Sequence, residues 1–319
     1  MPVSNKKTPI IVFAYNRPKH LDRLLESLSR CDRLRECRLY LHCDGAKRAE
    51  DKGGVAASRR VAFSWAEKLG GMVIERDRNQ GLSQSVVEGV KDLCEKYGRA
   101  IVLEDDLVVR KDFIDFMLRA LDQYANRSDV LQISGYQYGI PTASSRDVYF
   151  LPLTSGWGWA TWKRAWDLYE WEPKGAREKL ECRGVRRRFS LWDSYPYPTL
   201  LEERLRGNNE SWGILWQWTV FERNAHVVFP SRSLVWNGGF DGSGTHAGLG
   251  GVEVSSPRDL LSPAFDHVVE FPEVPIRDEN VVRQISVFLR RQMGFPHPTL
   301  KEKVVDLGWD VIERLKNWG

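Results

Sequence analysis

Residues 101–113 read IVLEDDLVVRKDF, an apolar run that stops at three consecutive acids, Glu104, Asp105 and Asp106, and then resumes. An ionised carboxylate taken out of water costs several kcal/mol unless it is paired with a cation or binds a metal. A lone acid would more often cap a helix or pair with a basic neighbour. Three acids at the end of a buried strand instead favour a functional site.

Similar apolar runs precede this one, and helical patterns separate them. The four runs are PIIVFAY at 9–15, RLYLHC at 38–43, MVIE at 72–75 and AIVLE at 100–104. The first two helical patterns carry these apolar residues: Leu21, Leu24, Leu25 and Leu28, then Val61, Phe63, Trp65 and Leu69. Strands alternating with helices predict the α/β class, with a mostly parallel central sheet flanked by helices.

Polar residues directly follow several of these strands. Ligands of parallel sheets bind beyond the carboxyl ends of the strands, so we expect the three acids to share a crevice with Asn16, Arg17 and Asp44. Asn16 and Arg17 offer donors to a nucleotide base or phosphate. Asp44 is a candidate acceptor for an N–H on a uracil ring. Each of the three is also explained as a turn or surface residue, so the prediction rests on their combination.

The acids suit a hard divalent cation, Mn²⁺ or Mg²⁺, which takes oxygen ligands and often needs only one or two protein carboxylates beside substrate phosphates. One acid would hold the metal and the others would bind hydroxyls. A glycine-rich stretch at 236–251, WNGGFDGSGTHAGLGG, carries Asp241 and His246. The imidazole of His246 is a candidate to complete the coordination of the metal.

Aromatic residues crowd the second half of the chain. The stretch TSGWGWATWKRAW at 154–166 pairs glycines with tryptophans at short spacing. Glycine lets the backbone approach a ligand closely, and aromatic faces stack on the apolar faces of sugars. We expect Trp162 and Trp166 in the core, whereas Trp157 and Trp159 fit either core packing or sugar stacking.

The composition is that of a globular protein, with 319 residues, 28% charged residues and a net charge of +4. So small a net charge argues against nucleic acid as a partner. Five cysteines without a CxxC pair suggest neither a disulfide framework nor a structural zinc site. Because we find no signal-peptide pattern and no apolar run of about 18 residues, we expect a cytoplasmic location.

Two helical patterns after Asp278, VVRQISVFLRRQMG and LKEKVVDLGWDVIERLKNW, carry basic residues opposite an apolar face. The basic residues are Arg283, Arg290, Arg291, Lys301, Lys303, Arg314 and Lys316. Solvated surface charge is the plainer interpretation, and contact with an anionic membrane surface is the alternative. That alternative would make the protein peripheral at the inner face of the membrane. Three consecutive arginines at 186–188 are a candidate contact for an acceptor diphosphate.

Seven motifs, taken in order, resemble the GT-A fold glycosyltransferases that use nucleotide sugars, in particular N-acetylglucosaminyltransferase I and its bacterial relatives. The motifs are VFAYNRP, HCDG, RNQGLSQSVVEGV, VLEDDLVVRKDF, SGWGWATW, SWGILWQW and FDGSGTH. The resemblance implies a GT-A domain over residues 8–250, divided into a nucleotide-binding half at 8–138 and an acceptor-side half at 139–250. A C-terminal helical extension would follow at 251–319.

The resemblance also implies roles for single residues. Arg17 and Asp44 would contact the uridine, and Asp105 the ribose. Glu104 would bind the donor sugar, and Asp106 would bind the metal directly. The donor and acceptor pocket would be shaped by Gly156, Trp157 and Gly158.

One position departs from the pattern of the family. Inverting members carry a carboxylate after the tryptophan of the segment matching SWGILWQW, and here that position is Gly213. The missing group is a general base, which typically contributes ~10²- to 10⁴-fold in rate. Asp241 and Glu210 are the candidate replacements. A flexible loop favours Asp241, whereas Glu210 is also placed to cap the helix that follows it.

The sequence therefore predicts a metal-dependent hexosyl- or N-acetylhexosaminyltransferase, which moves a sugar from a UDP-sugar to a hydroxyl of a glycan or lipid-linked saccharide. The pathway would be surface polysaccharide or glycan biosynthesis, and inversion follows from the resemblance alone. A nucleotidyltransferase is one alternative, although such enzymes usually carry a glycine-rich phosphate loop where this chain reads AYNRP. A catalytically silent sugar-binding protein is the other, and Gly213 is compatible with it.

Overall fold

A computed structural model describes residues 7–140, 146–239 and 265–295. Within these described ranges, the chain divides into two compact units. The first is formed by Met1–Trp171 and Ser211–Asp278, and the second by Glu172–Glu210 and Glu279–Gly319. The predicted domain boundary near residue 250 lies outside the described residues and stays a prediction.

The strands all lie in the first unit. They are β1 (Thr8–Ala14), β2 (Cys37–Cys43), β3 (Met72–Glu75), β4 (Arg99–Glu104), β5 (Leu107–Val109), β6 (Val130–Ser134), β7 (Val148–Leu151), β8 (Trp159–Trp162), β9 (His226–Pro230) and β10 (Val235–Asn237), counted over the described residues.

The helices are divided between the two units. In chain order they are α1 (Pro18–Ser29), α2 (Lys52–Leu69), α3 (Leu82–Tyr97), α4 (Phe113–Gln123), α5 (Lys163–Trp166), α6 (Ala176–Glu181), α7 (Arg183–Phe189), α8 (Tyr197–Leu205), α9 (Trp212–Glu222) and α10 (Glu279–Gln292). Helices α6, α7, α8 and α10 belong to the second unit, and the others belong to the first.

The main sheet has eight strands in the order β3-β2-β1-β4-β8-β6-β9-β7, and β5 pairs with β10 in a separate two-stranded sheet. The pairs β1–β2, β2–β3, β1–β4 and β6–β9 are parallel. The pairs β4–β8, β6–β8 and β7–β9 are antiparallel. This architecture confirms the predicted α/β class, with a large, mostly parallel sheet flanked by helices.

The strand order places a crevice at the ends of β1 and β4. The chain builds β2 and β3 on one side of β1 and then crosses to the other side to form β4. Ligands of open α/β sheets bind at such a reversal of strand order, beyond the carboxyl ends of the strands. Both strands are core elements, since every residue of β1 is buried and the interior of β4 is buried as well.

Helix α1 confirms its predicted face, because Leu21, Leu24, Leu25 and Leu28 are all fully buried. In α2 the helix was predicted correctly, but the apolar residues of the pattern do not form its buried face. Phe63 is 51% exposed, whereas Val55, Ser58, Ala62 and Ala66 are buried. Small side chains on this face let the helix lie close to its neighbours, and the aromatic side chains remain outside.

The second unit already uses several of the basic residues that the sequence offered for external partners. Arg290 is buried and donates to the carbonyl of Trp192. Arg187 is buried with its Nε 3.5 Å from a carboxylate oxygen of Asp193. Arg290 is therefore removed from the cations proposed to face a membrane, and Arg187 from those proposed to face a diphosphate.

The first C-terminal helix is confirmed as α10, where Arg283 and Arg291 are exposed. The second predicted C-terminal helix lies outside the described residues. None of the described helices combines the length and the apolar character needed to cross a bilayer.

Candidate functional site

The centre of the site is an ion-pair cluster between the residues that follow β1 and those that follow β4. Arg17 Nη2 lies 2.5 Å from Asp105 Oδ1, and Arg17 Nη1 lies 3.1 Å from Asp106 Oδ2. The backbone N–H of Tyr15 donates to Asp105 Oδ2 at 3.1 Å, and the N–H of Asp105 donates to the carbonyl of Phe13 at 3.0 Å. The sequence prediction that Arg17, Asp105 and Asp106 meet is thus correct in geometry.

Burial controls the charge of these acids. It raises the pKa of Asp105 to about 6, although Arg17 opposes the rise. It also raises the pKa of Glu104 to about 8, and the neighbouring Asp106 and Asp105 add to that rise. Burial alone would lower the pKa of Arg17, but Asp105 and Asp106 raise it overall. No hydrogen bond or ion pair to Glu104 is found within the described residues, so its half-buried carboxylate is available to a ligand.

Asp106 is the residue best suited to a metal. It is 8% exposed, and its Oδ1 is a buried acceptor without a hydrogen-bond partner within the described residues. A buried carboxylate oxygen without a donor is costly, and a hard cation would offset that cost. No group of three or more His, Cys, Asp or Glu side chains among the described residues converges to form a complete metal site. Asp106 therefore fits Mn²⁺ or Mg²⁺ as one protein ligand beside phosphate oxygens.

The turn after β10 presses against Asp106. The N–H of Gly238 donates to the Asp106 carbonyl at 2.8 Å. A Cβ on Gly239 would lie only 2.5 Å from Asp106 Oδ2, and 3.0 Å from Asn237 Oδ1. The N–H of Gly239 donates to that Asn237 oxygen at 2.7 Å. Gly239 is therefore needed where the backbone passes the proposed metal ligand.

Asp44 lies at the end of β2 as predicted, but its carboxylate is occupied by the loop before α3. Its Oδ1 accepts from the N–H of Gln80 at 3.0 Å, and its Oδ2 accepts from the N–H of Gly81 at 3.0 Å and from Asn79 Nδ2 at 2.9 Å. These bonds show that Asp44 shapes the loop at residues 79–81. A contact between Asp44 and a uracil ring stays a prediction.

Asn16 is likewise engaged within the protein. Its Nδ2 donates to Asp51 Oδ1 at 3.0 Å, and Asp51 is 7% exposed. The carbonyl oxygen of Asn16 would be 2.7 Å from a Cβ on Gly54. Asn16 therefore anchors the turn after β1 to the start of α2, and its contact with a nucleotide also stays a prediction.

The loop that carries Gly156, Trp157 and Gly158 approaches the acids. A Cβ on Gly156 would lie 4.0 Å from Glu104 Oε1 and 3.6 Å from the Trp212 ring. Gly158 has φ of +58°, and a Cβ there would lie 2.6 Å from Val235 Cγ1. Glycine is thus required at 158 and leaves room for a ligand at 156.

Two glutamines that were not among the predicted site residues hold this loop. Gln217 Oε1 accepts from the N–H of Thr154 at 2.7 Å, and its Nε2 donates to the Pro152 carbonyl at 2.9 Å. Gln132 Nε2 donates to the Ser155 carbonyl at 2.6 Å. Both side chains are buried. The available signal was polarity, because Gln217 interrupts the apolar motif SWGILWQW.

The tryptophans divide between core and surface. Trp159 is fully buried and stacks on Trp212 at 5.3 Å between ring centroids, which excludes it from sugar stacking. Trp162 and Trp166 are buried, as predicted. Trp157 is half-buried beside Tyr136, at 4.7 Å between centroids. Trp157 is therefore the tryptophan of this motif that retains an accessible ring.

Of the two candidate general bases, the structure describes Glu210. Asp241, the other candidate base, and His246, the candidate metal ligand, lie outside the described residues. Glu210 is exposed at the end of a segment of the second unit, and the cap of α9 is Ser211, whose hydroxyl accepts from the N–H of Ile214. Glu210 is therefore not the helix cap. A Cβ on Gly213 would meet only Ser211 Oγ, at 3.9 Å, so a side chain would fit there.

No family model and no curated protein matches this sequence. Among solved structures the chain is similar to S. aureus TarS, with 14% identity and a TM-score of 0.39 over 72% of this chain and 36% of that chain. A structure of TarS 1-349 gives 14% identity and a TM-score of 0.41 over 73% of this chain and 61% of that one. GalNAc-T7, solved with UDP, GalNAc and Mn²⁺, gives 11% identity and a TM-score of 0.44 over 72% and 43%.

The chain spans less than two thirds of the length of each of these three structures. The similarity concerns the fold alone. The more specific resemblance to N-acetylglucosaminyltransferase I stays a prediction.

Proposed function

We propose that this protein is a metal-dependent glycosyltransferase that moves a hexosyl or N-acetylhexosaminyl group from a UDP-sugar to a hydroxyl of a glycan or lipid-linked saccharide. The observation that carries the proposal is the cluster of Arg17, Asp105 and Asp106 at the reversal of strand order between β1 and β4. Its position, together with the order of motifs in the sequence, supports a nucleotide-sugar site.

Glu104, Asp105 and Asp106 each have a different environment, and this supports a different role for each of the three acids. Asp105 is fixed by Arg17 and by the N–H of Tyr15, so its position is set before any ligand arrives. Preorganised acceptors of this kind suit the hydroxyls of a ribose. Glu104 is available beside Gly156, where it would accept hydrogen bonds from the hydroxyls of the donor sugar.

Asp106 would hold Mn²⁺ or Mg²⁺ against the phosphates of the donor. A bound divalent ion supplies stabilisation of negative charge on a departing diphosphate. Arg17 pairs with this carboxylate, and the turn at Gly238 and Gly239 lies directly against Asp106. His246 is proposed as a further ligand from the sequence alone.

The acceptor would lie on the side of Trp157 and the start of α9. The half-buried Trp157 offers an aromatic face to a sugar, as such faces do in carbohydrate sites. Asp241 and Glu210 remain the proposed general bases. Inversion of the transferred sugar rests on the resemblance of motifs.

A donor screen on the full chain tests this proposal. UDP-hexoses and UDP-N-acetylhexosamines are incubated with Mn²⁺, with Mg²⁺ or with chelator. Water takes the place of the acceptor hydroxyl, so that the donor is hydrolysed to free sugar and UDP, and this release of UDP is compared with the hydrolysis of CDP-, GDP- and ADP-sugars. We expect UDP release that needs metal. Pyrophosphate release from UTP and a sugar 1-phosphate would instead favour the nucleotidyltransferase. Binding of sugars or sugar nucleotides to the protein without any release of UDP would favour the catalytically silent binding protein.

A further inference from the structure

Arg23 on α1 extends toward the turn that passes Asp106. Its guanidinium lies 5.9 Å from the centroid of the Trp236 ring, within the range of a cation–π attraction. Its Nη1 is 3.3 Å from the place that a Cβ on Gly238 would occupy. Because the N–H of Gly238 donates to the Asp106 carbonyl, the head of Arg23 lies beside the segment that carries the proposed metal ligand.

The acids on the exposed face of α1 have other partners. Asp22 Oδ1 accepts from Trp65 Nε1 at 2.7 Å, and Glu26 pairs with Arg30. Within the described ranges, Arg23 makes no ion pair or hydrogen bond to a carboxylate. Arg23 is therefore an exposed cation, held near the site by an aromatic ring and not neutralised by a described neighbour.

The charges of the site leave a role for a further cation when a nucleoside diphosphate is bound. Arg17 is paired directly with the acids, and its charge is shared between Asp105 and Asp106. A nucleoside diphosphate brings two or more negative charges, and the planar guanidinium of arginine can bind phosphate oxygens through two N–H groups at once.

We propose that Arg23 binds the diphosphate of the nucleotide, as a second positive group beside the metal. The inference rests on the proposed function, since it assumes that a uridine diphosphate occupies the crevice. Trp236 acts here as a positioning residue that limits the directions open to the Arg23 side chain.

Calorimetric titration of the full chain with UDP tests the inference, in Mn²⁺ and in chelator, for the native protein, Arg23→Gln, Arg23→Lys and the control Arg30→Gln. Uridine is followed by saturation-transfer NMR, because its binding is weak. Arg30→Gln removes the same charge from the residue that directly follows α1, at an exposed ion pair with Glu26. We expect Arg23→Gln to weaken UDP about tenfold with and without metal, Arg23→Lys to lose less, and Arg30→Gln and uridine binding to be unchanged.

Native affinity for UDP in Arg23→Gln would overturn the inference and leave the proposed function standing. An equal loss of affinity for uridine and for UDP would also overturn it, because Arg23 would then act on the fold or on the nucleoside. A native protein that binds no UDP in either buffer would remove the proposed function itself, and this inference with it.

Discussion

Three adjacent acids at the end of β4 differ in how the protein stabilises them. Asp105 has a guanidinium and a backbone N–H, and Asp106 shares the same guanidinium but keeps an oxygen without a donor among the described residues. Glu104 shows neither kind of bond within those residues, and burial raises its pKa to about 8. Buried acids without partners are expected to cost stability as long as no ligand or cation pairs with them.

That cost is measurable for Glu104. Its pKa is higher in the folded than in the unfolded state, so the native protein binds the extra proton between about pH 4.5 and pH 8 and loses stability as the pH rises through that window. In chelator, Glu104→Gln should raise the free energy of unfolding by about 2 kcal/mol at pH 8 and by much less at pH 5. Urea titrations at the two pH values measure the difference.

Glu36→Gln is the matched control for this substitution. The hydrogen bond from Arg33 lowers the pKa of Glu36. Removal of the Glu36 carboxylate should therefore not stabilise the protein as the pH rises. Equal unfolding free energies of native protein and Glu104→Gln at pH 8 would show that burial does not strain this carboxylate.

Gly239 offers a second test at a single position. The added methyl of Gly239→Ala would lie 2.5 Å from Asp106 Oδ2, so the carboxylate or the turn must move. Overpacking of this size costs ~1–3 kcal/mol, and we expect the affinity for UDP with Mn²⁺ to fall at least about tenfold. The control is Gly53→Ala in α2, where a Cβ meets no atom within 4 Å. Calorimetry that finds native affinity for Gly239→Ala would contradict the proposed closeness of turn and ligand site.

Helix α9 connects the core through Gln217 to the loop that carries Gly156, Trp157 and Gly158. Gln217→Leu removes its bonds to Thr154 and Pro152 and leaves a backbone N–H without its acceptor. We expect a loss of about 2–4 kcal/mol in unfolding free energy and a weaker affinity for UDP-sugars relative to UDP. Gln84→Leu, on an exposed pair with Glu88, should change neither. A Gln217→Leu protein with an unchanged ratio of UDP-sugar to UDP affinity would place the donor sugar elsewhere.

The first four strands of the main sheet and helix α1 were predictable, because their patterns are local. The pairing of β5 with β10 was not, since each strand has three residues and they are distant in the chain. The buried face of α2 was not predictable from the pattern, because Ala62 and Ala66 carry weak hydrophobic signals, whereas the exposed Phe63 carries a strong one.

The residues of the site show the same limit. Arg17, Asp105 and Asp106 were placed together correctly, since parallel neighbouring strands bring their ends to one edge. The hydrogen-bond donors to Asp44 are residues 79–81, and no pattern in the sequence predicts this contact between loops. Hydrogen bonds between distant loops depend on the path of the chain, and a single sequence does not show it.

The strand order of the first unit determines which distant residues meet at the edge of the sheet. The reversal between β1 and β4 brings an arginine and two aspartates into contact although they are 88 and 89 positions apart. The turn after β10 then adds Gly238 and Gly239 from more than a hundred residues further on. A site assembled from such distant segments needs the folded first unit, so ligand binding should also protect that unit from unfolding.

Calorimetric titration of UDP into the native protein and Asp106→Ala, with Mn²⁺ and with chelator, tests whether Asp106 holds a metal beside a bound nucleotide. The control is Asp122→Ala, which removes an exposed carboxylate paired with Arg99. We predict that the native protein and the control bind UDP more tightly with Mn²⁺ than with chelator, and that Asp106→Ala loses this dependence on metal. Metal-dependent binding that survives in Asp106→Ala would exclude Asp106 as the metal ligand, and a native protein that binds no UDP would exclude the proposed nucleotide-sugar site.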